Sequence, residues 1–165
     1  MLIRDAHQDE LAAVGELRLA AYRADGFLSP DSTYGPRLRD LGADGSGPVL
    51  VAVDGDPEQL VGTVMLQLWP HAGHAAAGPD EAEIRALAAR PGARGSGVGR
   101  ALIAAVIDRA ARDGVRTLVL QTQPEMKAAH HLYEQAGFGR LPDRDWSPEP
   151  GVTLLAYGMH VSRTG

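Results

Sequence analysis

A glycine-rich loop between a predicted strand and a predicted helix carries the strongest chemical signal in the sequence. The loop reads Arg94-Gly95-Ser96-Gly97-Val98-Gly99-Arg100. Glycines in the first turn of a helix have no Cβ, so backbone N–H groups can approach a ligand closely. Those N–H groups have no acceptor within the helix and lie at the positive end of its dipole, which favours a phosphate. Arg94 and Arg100 are candidate charge partners for the same anion.

Two common phosphate-binding loops do not fit this spacing. A dinucleotide fingerprint needs glycines at relative positions 1, 3 and 6, but the sixth residue is Arg100 counted from Gly95 and Leu102 counted from Gly97. The Gly-Lys-Ser/Thr of a P-loop is also absent. The pattern that remains is Arg94-x-x-Gly97-x-Gly99. An ordinary glycine turn between a strand and a helix is the alternative interpretation.

A second motif lies further along the chain, at the end of another predicted helix. It reads Leu132-Tyr133-Glu134-Gln135-Ala136-Gly137-Phe138. Gly137 is typical of a helix C-terminus. Taken alone, a tyrosine on a helix is more often a core residue with a hydrogen-bonded hydroxyl than a catalytic group.

The two motifs together resemble the hallmarks of the GNAT N-acetyltransferase superfamily. The first is similar to that family's loop for the pyrophosphate of acyl-CoA, Gln/Arg-x-x-Gly-x-Gly/Ala, and the second to a helix that ends in Leu-Tyr-x-x-x-Gly-Phe. The resemblance extends from Leu2 to about Val161. It implies an α/β (α+β) fold with a mixed, mostly antiparallel sheet flanked by helices. The length of 165 residues is that of one domain, so we expect a single domain over 1–165.

The resemblance assigns acetyl-CoA as co-substrate and names the residues that would bind it. The loop would hold the pyrophosphate, and the end of the preceding strand would pair its backbone with the pantetheine amides beside a splayed neighbouring strand. These cofactor-binding candidates are Leu87, Ala88, Ala89, Arg94, Gly95, Ser96, Gly97, Val98, Gly99 and Arg100. One departure is Met126, which stands where many members of the family have an asparagine that bonds the pantetheine arm.

Three candidate catalytic residues follow from the same resemblance. In the family, the tyrosine at the position of Tyr133 directs its hydroxyl at the CoA sulfur, and a phenol with a pKa near 10 is protonated at neutral pH. Glu81 and Glu83 share one strand face with Arg85, and some branches of the family use a glutamate there as general base. We favour Glu83. The alternative is a solvent-exposed charged face with Arg85 as partner, the amine losing its proton through water.

The hydrophobic patterning predicts the elements that position these residues. The predicted strands are Leu2–Arg4, Val49–Val53, Leu60–Trp69, Glu81–Ala89, Val115–Thr122 and Val152–His160, and the predicted helices are Glu10–Arg23, a short one near Pro36–Leu41, Gly97–Asp113 and one from Pro124 to Gly137. Asp54 to Pro57 predicts a hairpin turn, and the segment Leu141–Gly151 is predicted to be a loop.

Composition restricts the classes of function. The chain has 165 residues, 44% of them hydrophobic and 22% charged, and no cysteine. The net charge of −5 argues against a nucleic-acid partner, and no apolar run is long enough for a membrane span. His71 and His74 are a possible pair of metal ligands, but no third ligand accompanies them. We therefore expect them to lie in a solvated loop and not in a metal site. We therefore expect a cytoplasmic enzyme without a metal.

The sequence as a whole predicts an N-acetyltransferase that uses acetyl-CoA. The acceptor would be the primary amine of a small molecule or peptide, attacking the thioester directly. A homodimer is a candidate assembly from the family resemblance. The alternative function, from a different class, is a non-catalytic acyl-CoA-binding or sensor domain.

Overall fold

The computed structural model describes residues 1–29, 31–72 and 75–161. Its strands are β1 (Leu2–Asp5), β2 (Val49–Asp54), β3 (Gln59–Leu68), β4 (Glu81–Ala89), β5 (Thr117–Thr122), β6 (Gly139–Arg140), β7 (Trp146–Glu149) and β8 (Val152–His160). Its α-helices are α1 (Leu11–Ala24), α2 (Tyr34–Asp40), α3 (Val98–Arg112) and α4 (Lys127–Ala136). The strand order is β1-β2-β3-β4-β5-β8-β6, with β7 paired to β8.

The predicted fold class is confirmed, because the sheet is mixed and mostly antiparallel. The β1–β2, β2–β3, β5–β8, β6–β8 and β7–β8 pairs are antiparallel, whereas β4 and β5 are parallel. The parallel pair is joined by α3, as a strand–helix–strand connection requires. The described residues divide into two compact units, 1–65 with 86–102 and 66–85 with 103–161. The single domain over 1–165 stays a prediction.

The first unit is built on the β2–β3 hairpin. Asp54 and Gly55 begin the turn, with Gly55 at φ 86°, and the ladder runs from Val49 opposite Met65 to Asp54 opposite Gln59. The inward side chains of this hairpin pack against α1, and this core comprises Val14, Val49, Val51, Val53 and Met65. Burial of such branched side chains is the main favourable term in folding.

The second unit is organised around β5 and β8. Their ladder runs from Thr117 opposite His160 to Thr122 opposite Leu155, and Leu118 and Leu120 are almost fully buried. Helix α4 ends as the motif predicts, because Gly137 has φ 108° and the Phe138 N–H donates to the Tyr133 carbonyl at 3.0 Å. A helix C-terminus of this kind needs a residue that tolerates positive φ.

The predictions for the start of α4 and for the segment 141–151 are wrong. Helix α4 begins at Lys127 and not at Pro124, because Gln123 to Lys127 forms a turn in which the Met126 N–H donates to the Gln123 carbonyl at 3.1 Å. The segment 141–151 is not wholly a loop, since β7 pairs with β8. Period-2 patterning is weak in β7 because all four of its residues are exposed.

Candidate functional site

The glycine loop has the backbone conformation that its sequence indicates. Gly95 has φ 80° and Gly97 has φ 82°, values that residues with a Cβ rarely adopt. A Cβ built at either position would meet nothing within 4 Å, so conformation rather than crowding accounts for these two glycines. Both glycines are exposed to solvent.

A run of backbone donors begins α3. Ala101 N–H donates to the Gly97 carbonyl at 3.0 Å, so Gly97 is the flanking residue directly before the first helical residue, Val98. Within the described parts of the chain, no acceptor is bonded to the N–H groups from Gly95 to Gly99. Such a run at the start of a fifteen-residue helix fits an anionic phosphate. These residues therefore fit the pyrophosphate of acyl-CoA.

Arg94 is engaged by the protein itself. Its guanidinium pairs with the Asp25 carboxylate, and its Nη2 donates to the Ala21 carbonyl at 3.3 Å. Both partners belong to the C-terminal end of α1, so Arg94 ties the loop to that helix. Sequence reasoning missed Asp25, because two residues 69 positions apart give no local signal. Arg100 is exposed, and its role toward a phosphate stays a prediction.

A glycine on β3 lets the start of α3 pack closely. A Cβ at Gly62 would lie 2.5 Å from Val98 Cγ1, 2.9 Å from Leu102 Cδ1 and 3.1 Å from the Ala88 carbonyl oxygen. These distances are too short for any side chain larger than hydrogen. An isolated glycine inside a strand pattern is the signal that could have predicted this close approach.

Strand β4 changes character midway. Ala86 has φ 56°, which makes it the one non-glycine residue with positive φ in the described structure. The ladder between β4 and β5 ends with Glu83 opposite Val119, although β4 continues to Ala89 and β5 to Thr122. Strained backbone of this kind is frequent at binding sites. The three cofactor-binding candidates Leu87, Ala88 and Ala89 follow directly, and Ala88 is buried.

Glu83 is a buried carboxylate without a close ionic partner. It is 8% exposed, and its nearest basic group among the described residues is Arg85, whose Nε lies 3.9 Å from the carboxylate oxygen Oε1. That separation is too long for a hydrogen bond. Burial raises the pKa of Glu83 to about 7, and the positive charge of Arg85 only partly opposes this effect. A carboxylate with this pKa can accept a proton near neutral pH.

Glu81 is held quite differently. Its Oε1 accepts hydrogen bonds from Arg144 Nη2 at 2.6 Å and from the Ala77 N–H at 2.8 Å. Arg144 Nη2 also donates to the Ala75 carbonyl at 2.6 Å. Burial raises the pKa of Glu81, but the bonds from Arg144 and Ala77 outweigh it, and the pKa lies below its ordinary value. The ionised Glu81 carboxylate thus stabilises the segment that precedes β4.

Tyr133 packs its ring in the second unit. It is 7% exposed, with its ring centroid 5.8 Å from that of Phe138 and 6.3 Å from that of Tyr157. Among the described residues, none hydrogen-bonds with its hydroxyl. Burial raises the pKa of Tyr133, so the hydroxyl keeps its proton at neutral pH. The ring packs like that of a core residue, but no described residue forms a hydrogen bond with the hydroxyl.

Comparison with known proteins decides the family. The profile of the acetyltransferase (GNAT) family matches residues 11–138. The chain belongs to this family. It is 36% identical over 121 residues to a mycothiol acetyltransferase of Cellulomonas flavigena, a match that covers 68% of this chain. The same match covers 34% of the relative, so the chain spans about a third of that protein's length.

Solved structures agree with the GNAT fold. A GNAT-family acetyltransferase from Staphylococcus aureus superposes with a TM-score of 0.76 at 16% identity, covering 98% of this chain and 99% of the other. A GNAT phosphinothricin acetyltransferase from Sinorhizobium meliloti, solved with acetyl-CoA, gives a TM-score of 0.71 at 19% identity, covering 98% and 88%. At these identities the likeness establishes the fold alone.

The GNAT departure at Met126 has a structural counterpart. The Met126 sulfur accepts a hydrogen bond from the Thr122 hydroxyl at 3.6 Å, directly before α4. His130 lies one turn later, and its Nε2 is 2.9 Å from the Gln123 carbonyl oxygen. These two contacts hold the turn that precedes α4.

The site candidates fall into both units of this GNAT chain. Residues 86–100 lie in the first, and the three catalytic candidates Glu81, Glu83 and Tyr133 lie in the second. No group of three metal-ligating side chains occurs within 1–29, 31–72 and 75–161. His74 lies outside these ranges, so the prediction of a solvated His71–His74 loop is not tested. No described helix is both long and apolar enough to cross a membrane.

Proposed function

We propose that this GNAT chain transfers the acetyl group of acetyl-CoA to a primary amine by direct attack. The observation that carries the proposal is the run of N–H groups from Gly95 to Gly99 at the start of α3, to which no acceptor among the described residues is bonded. Acetyl-CoA supplies the acyl group as a thioester. The N–H groups hold its pyrophosphate, and the backbone of Leu87–Ala89 pairs with its pantetheine arm. Holding both reactants in this way supplies much of the rate enhancement.

In this proposal Glu83 is the general base and Tyr133 is the general acid. The Glu83 carboxylate, with its raised pKa of about 7, accepts a proton from the ammonium group of the acceptor, and the neutral amine that results attacks the thioester. The Tyr133 hydroxyl donates its proton to the sulfur as the thiol leaves. Glu81 keeps its carboxylate ionised against Arg144, and we assign it a structural role.

The acceptor is the primary amine of a small molecule or peptide. The mycothiol and phosphinothricin acetyltransferases named above differ in acceptor. Family membership therefore does not restrict the chemical class of the acceptor any further. A homodimer remains a prediction from the family. Membership in the GNAT family is also compatible with a domain that binds acyl-CoA without turnover. The experiment described next distinguishes the two functions.

The first experiment is a calorimetric titration with acetyl-CoA, followed by thiol release across a panel of amines. Acetyl-CoA binding with thiol release that depends on one class of amine supports the proposal. Binding without release from any amine would favour the non-catalytic domain. Absence of binding would overturn the assignment of the glycine loop.

Gly97→Glu should abolish acetyl-CoA binding, because it brings a carboxylate to the start of α3 where the pyrophosphate is expected. Gly97→Ala is the matched control, since it carries the strain of a Cβ at φ 82° without the charge. We expect measurable binding by calorimetry for the alanine variant and none for the glutamate variant. Equal affinities for the two variants would contradict the assignment.

Tyr133→Phe should lower kcat by about 10²-fold with little change in the Kd of acetyl-CoA, because only the leaving-group proton is lost. Tyr157→Phe is the matched control. The Tyr157 hydroxyl donates to Glu134 Oε1 at 3.4 Å, so its loss should leave kcat nearly unchanged. Steady-state thiol release measures both. An unchanged kcat for Tyr133→Phe would remove this residue from the mechanism.

A further inference from the structure

Gln67 is a buried amide beside the carboxylate that we assign as base. It lies on β3 and is 6% exposed. Its Oε1 accepts a hydrogen bond from Arg85 Nη1 at 3.1 Å. Arg85 in turn presents its Nε to Glu83 Oε1 at 3.9 Å. A buried amide is costly unless it is bonded, and one bond of this amide is to a guanidinium.

The separation between Arg85 and Glu83 is unusual in this protein. The carboxylates of Glu10, Glu81 and Asp145 meet their arginines at 2.8, 2.6 and 2.7 Å. A guanidinium and a carboxylate two residues apart on one strand face could close to a similar distance. Arg85 Nη1 instead donates a hydrogen bond to Gln67 Oε1.

We propose that Gln67 is a positioning residue that holds the Arg85 guanidinium outside hydrogen-bonding distance of the Glu83 carboxylate. This inference rests on the proposed function, in which Glu83 accepts a proton. A charge-assisted bond from Arg85 would stabilise the ionised carboxylate and make it a weaker base. At 3.9 Å the guanidinium attracts the carboxylate without occupying its lone pairs.

Arg85 is the charged group that affects the pKa of Glu83, as the surrounding elements show. Strand β5, which pairs with β4 at Glu83, has no ionisable side chain from Thr117 to Thr122. Leu66–Leu68, the end of β3 that holds Gln67, has none either. Glu81 lies on the same face of β4 but is neutralised by Arg144. Arg85 is the one charged group of the described residues that acts on the Glu83 pKa.

The test is an NMR titration of the Glu83 side-chain carboxyl in the full chain. Gln67→Leu removes the Oε1 that accepts from Arg85 Nη1, and we expect the guanidinium to move toward Glu83. We expect the measured pKa of Glu83 to fall by about one, a tenfold change in proton affinity. Arg85→Gln should raise it instead, and the double variant should follow Arg85→Gln. An unchanged or raised pKa in Gln67→Leu would overturn the inference.

Gln67→Glu is a second variant that keeps the size of the side chain. It holds Arg85 more tightly and adds a negative charge, so we expect the pKa of Glu83 to rise. A purely structural Gln67 would give no such opposed shifts in two variants. A wild-type pKa of Glu83 in Gln67→Glu would therefore contradict the inference even if Gln67→Leu failed to fold.

The outcome does not depend on whether Glu83 is catalytic. The NMR titration reads the carboxyl directly, whereas the acidic limb of the kcat/KM profile reads catalysis. If Glu83→Gln leaves that limb in place, the proposed base is wrong, and the titration still decides the role of Gln67. If Glu83→Gln removes the limb, the limb should move to lower pH in Gln67→Leu. A limb that stays at the wild-type pH would contradict the inference.

Discussion

Glu81 and Glu83 lie two residues apart on one strand and face opposite electrostatic conditions. Glu81 is held by Arg144 at 2.6 Å and by a backbone N–H at 2.8 Å, and its pKa is lowered. Glu83 is buried with its nearest guanidinium at 3.9 Å, and its pKa is raised to about 7. The same residue type is therefore a fixed anion at one position and a proton acceptor at the other. The partners supplied by distant segments make the difference.

This comparison teaches how a strand can carry both structure and chemistry. Arg144 reaches Glu81 from a short 3₁₀ turn 63 residues later in the chain, which anchors the start of β4. Glu83 lies two residues later on the same face of β4, where the β4–β5 ladder ends. A carboxylate at a position where pairing stops, without a direct ionic partner, is suited to exchange a proton.

Glu83→Gln gives the largest effect that separates the two carboxylates. We expect kcat/KM to fall by about 10²-fold or more, because the proposed general base is lost. Glu81→Gln should change turnover little, since that carboxylate is already bonded. Thiol release at saturating acetyl-CoA measures both. If the two variants lose activity equally, the distinction between the carboxylates fails.

The pH dependence of stability gives the next largest effect. The folded-state pKa of Glu83 lies near 7 against an ordinary value of 4.5. A raised pKa stabilises the fold below pH 4.5, and that contribution is lost as the pH rises through 7. Its full size is on the order of 3 kcal/mol. Relative to wild type, Glu83→Gln should therefore gain stability between pH 4.5 and pH 8.

Urea unfolding at both ends of this range checks the prediction, and the difference between wild type and variant isolates Glu83 from other titrating groups. A constant difference across the range would mean that burial does not raise the pKa of Glu83 in the folded protein.

Glu81→Gln should give the smallest effect, with the opposite pH dependence. At neutral pH we expect the free energy of unfolding to fall by about 1 to 2 kcal/mol, because Arg144 loses its carboxylate partner. The contribution of a lowered pKa is present above the ordinary value of 4.5 and is lost as the pH falls through the folded-state pKa. Wild type and variant should therefore converge in acid.

Thermal unfolding at neutral and acidic pH measures this difference. Combining Glu81→Gln with Arg144→Gln should cost less than the sum of the two single changes, because both remove the same pair. Strict additivity would show that the pair contributes nothing to stability.

Local sequence was sufficient wherever a pattern acts within a few residues. β4 and β8 occur at their predicted bounds, and α3 differs from its prediction by one residue at each end. The two glycines of the loop needed positive φ, which is a local property of the backbone. The beginning of α4 was wrong, because Pro124 and Glu125 suit a helix start as well as the turn that they form.

Sequence motifs indicated the loop, Tyr133 and both carboxylates, but the roles of the carboxylates depended on contacts across the chain. Asp25 on Arg94, Arg144 on Glu81 and Gln67 on Arg85 are all side-chain partners that no spacing rule predicts. The sequence determined which groups are available for chemistry, because helix caps, strand alternation and glycine turns are local. Only the tertiary structure decided which carboxylate is neutralised and which stays available, because burial and charge pairing depend on residues that are distant in the chain.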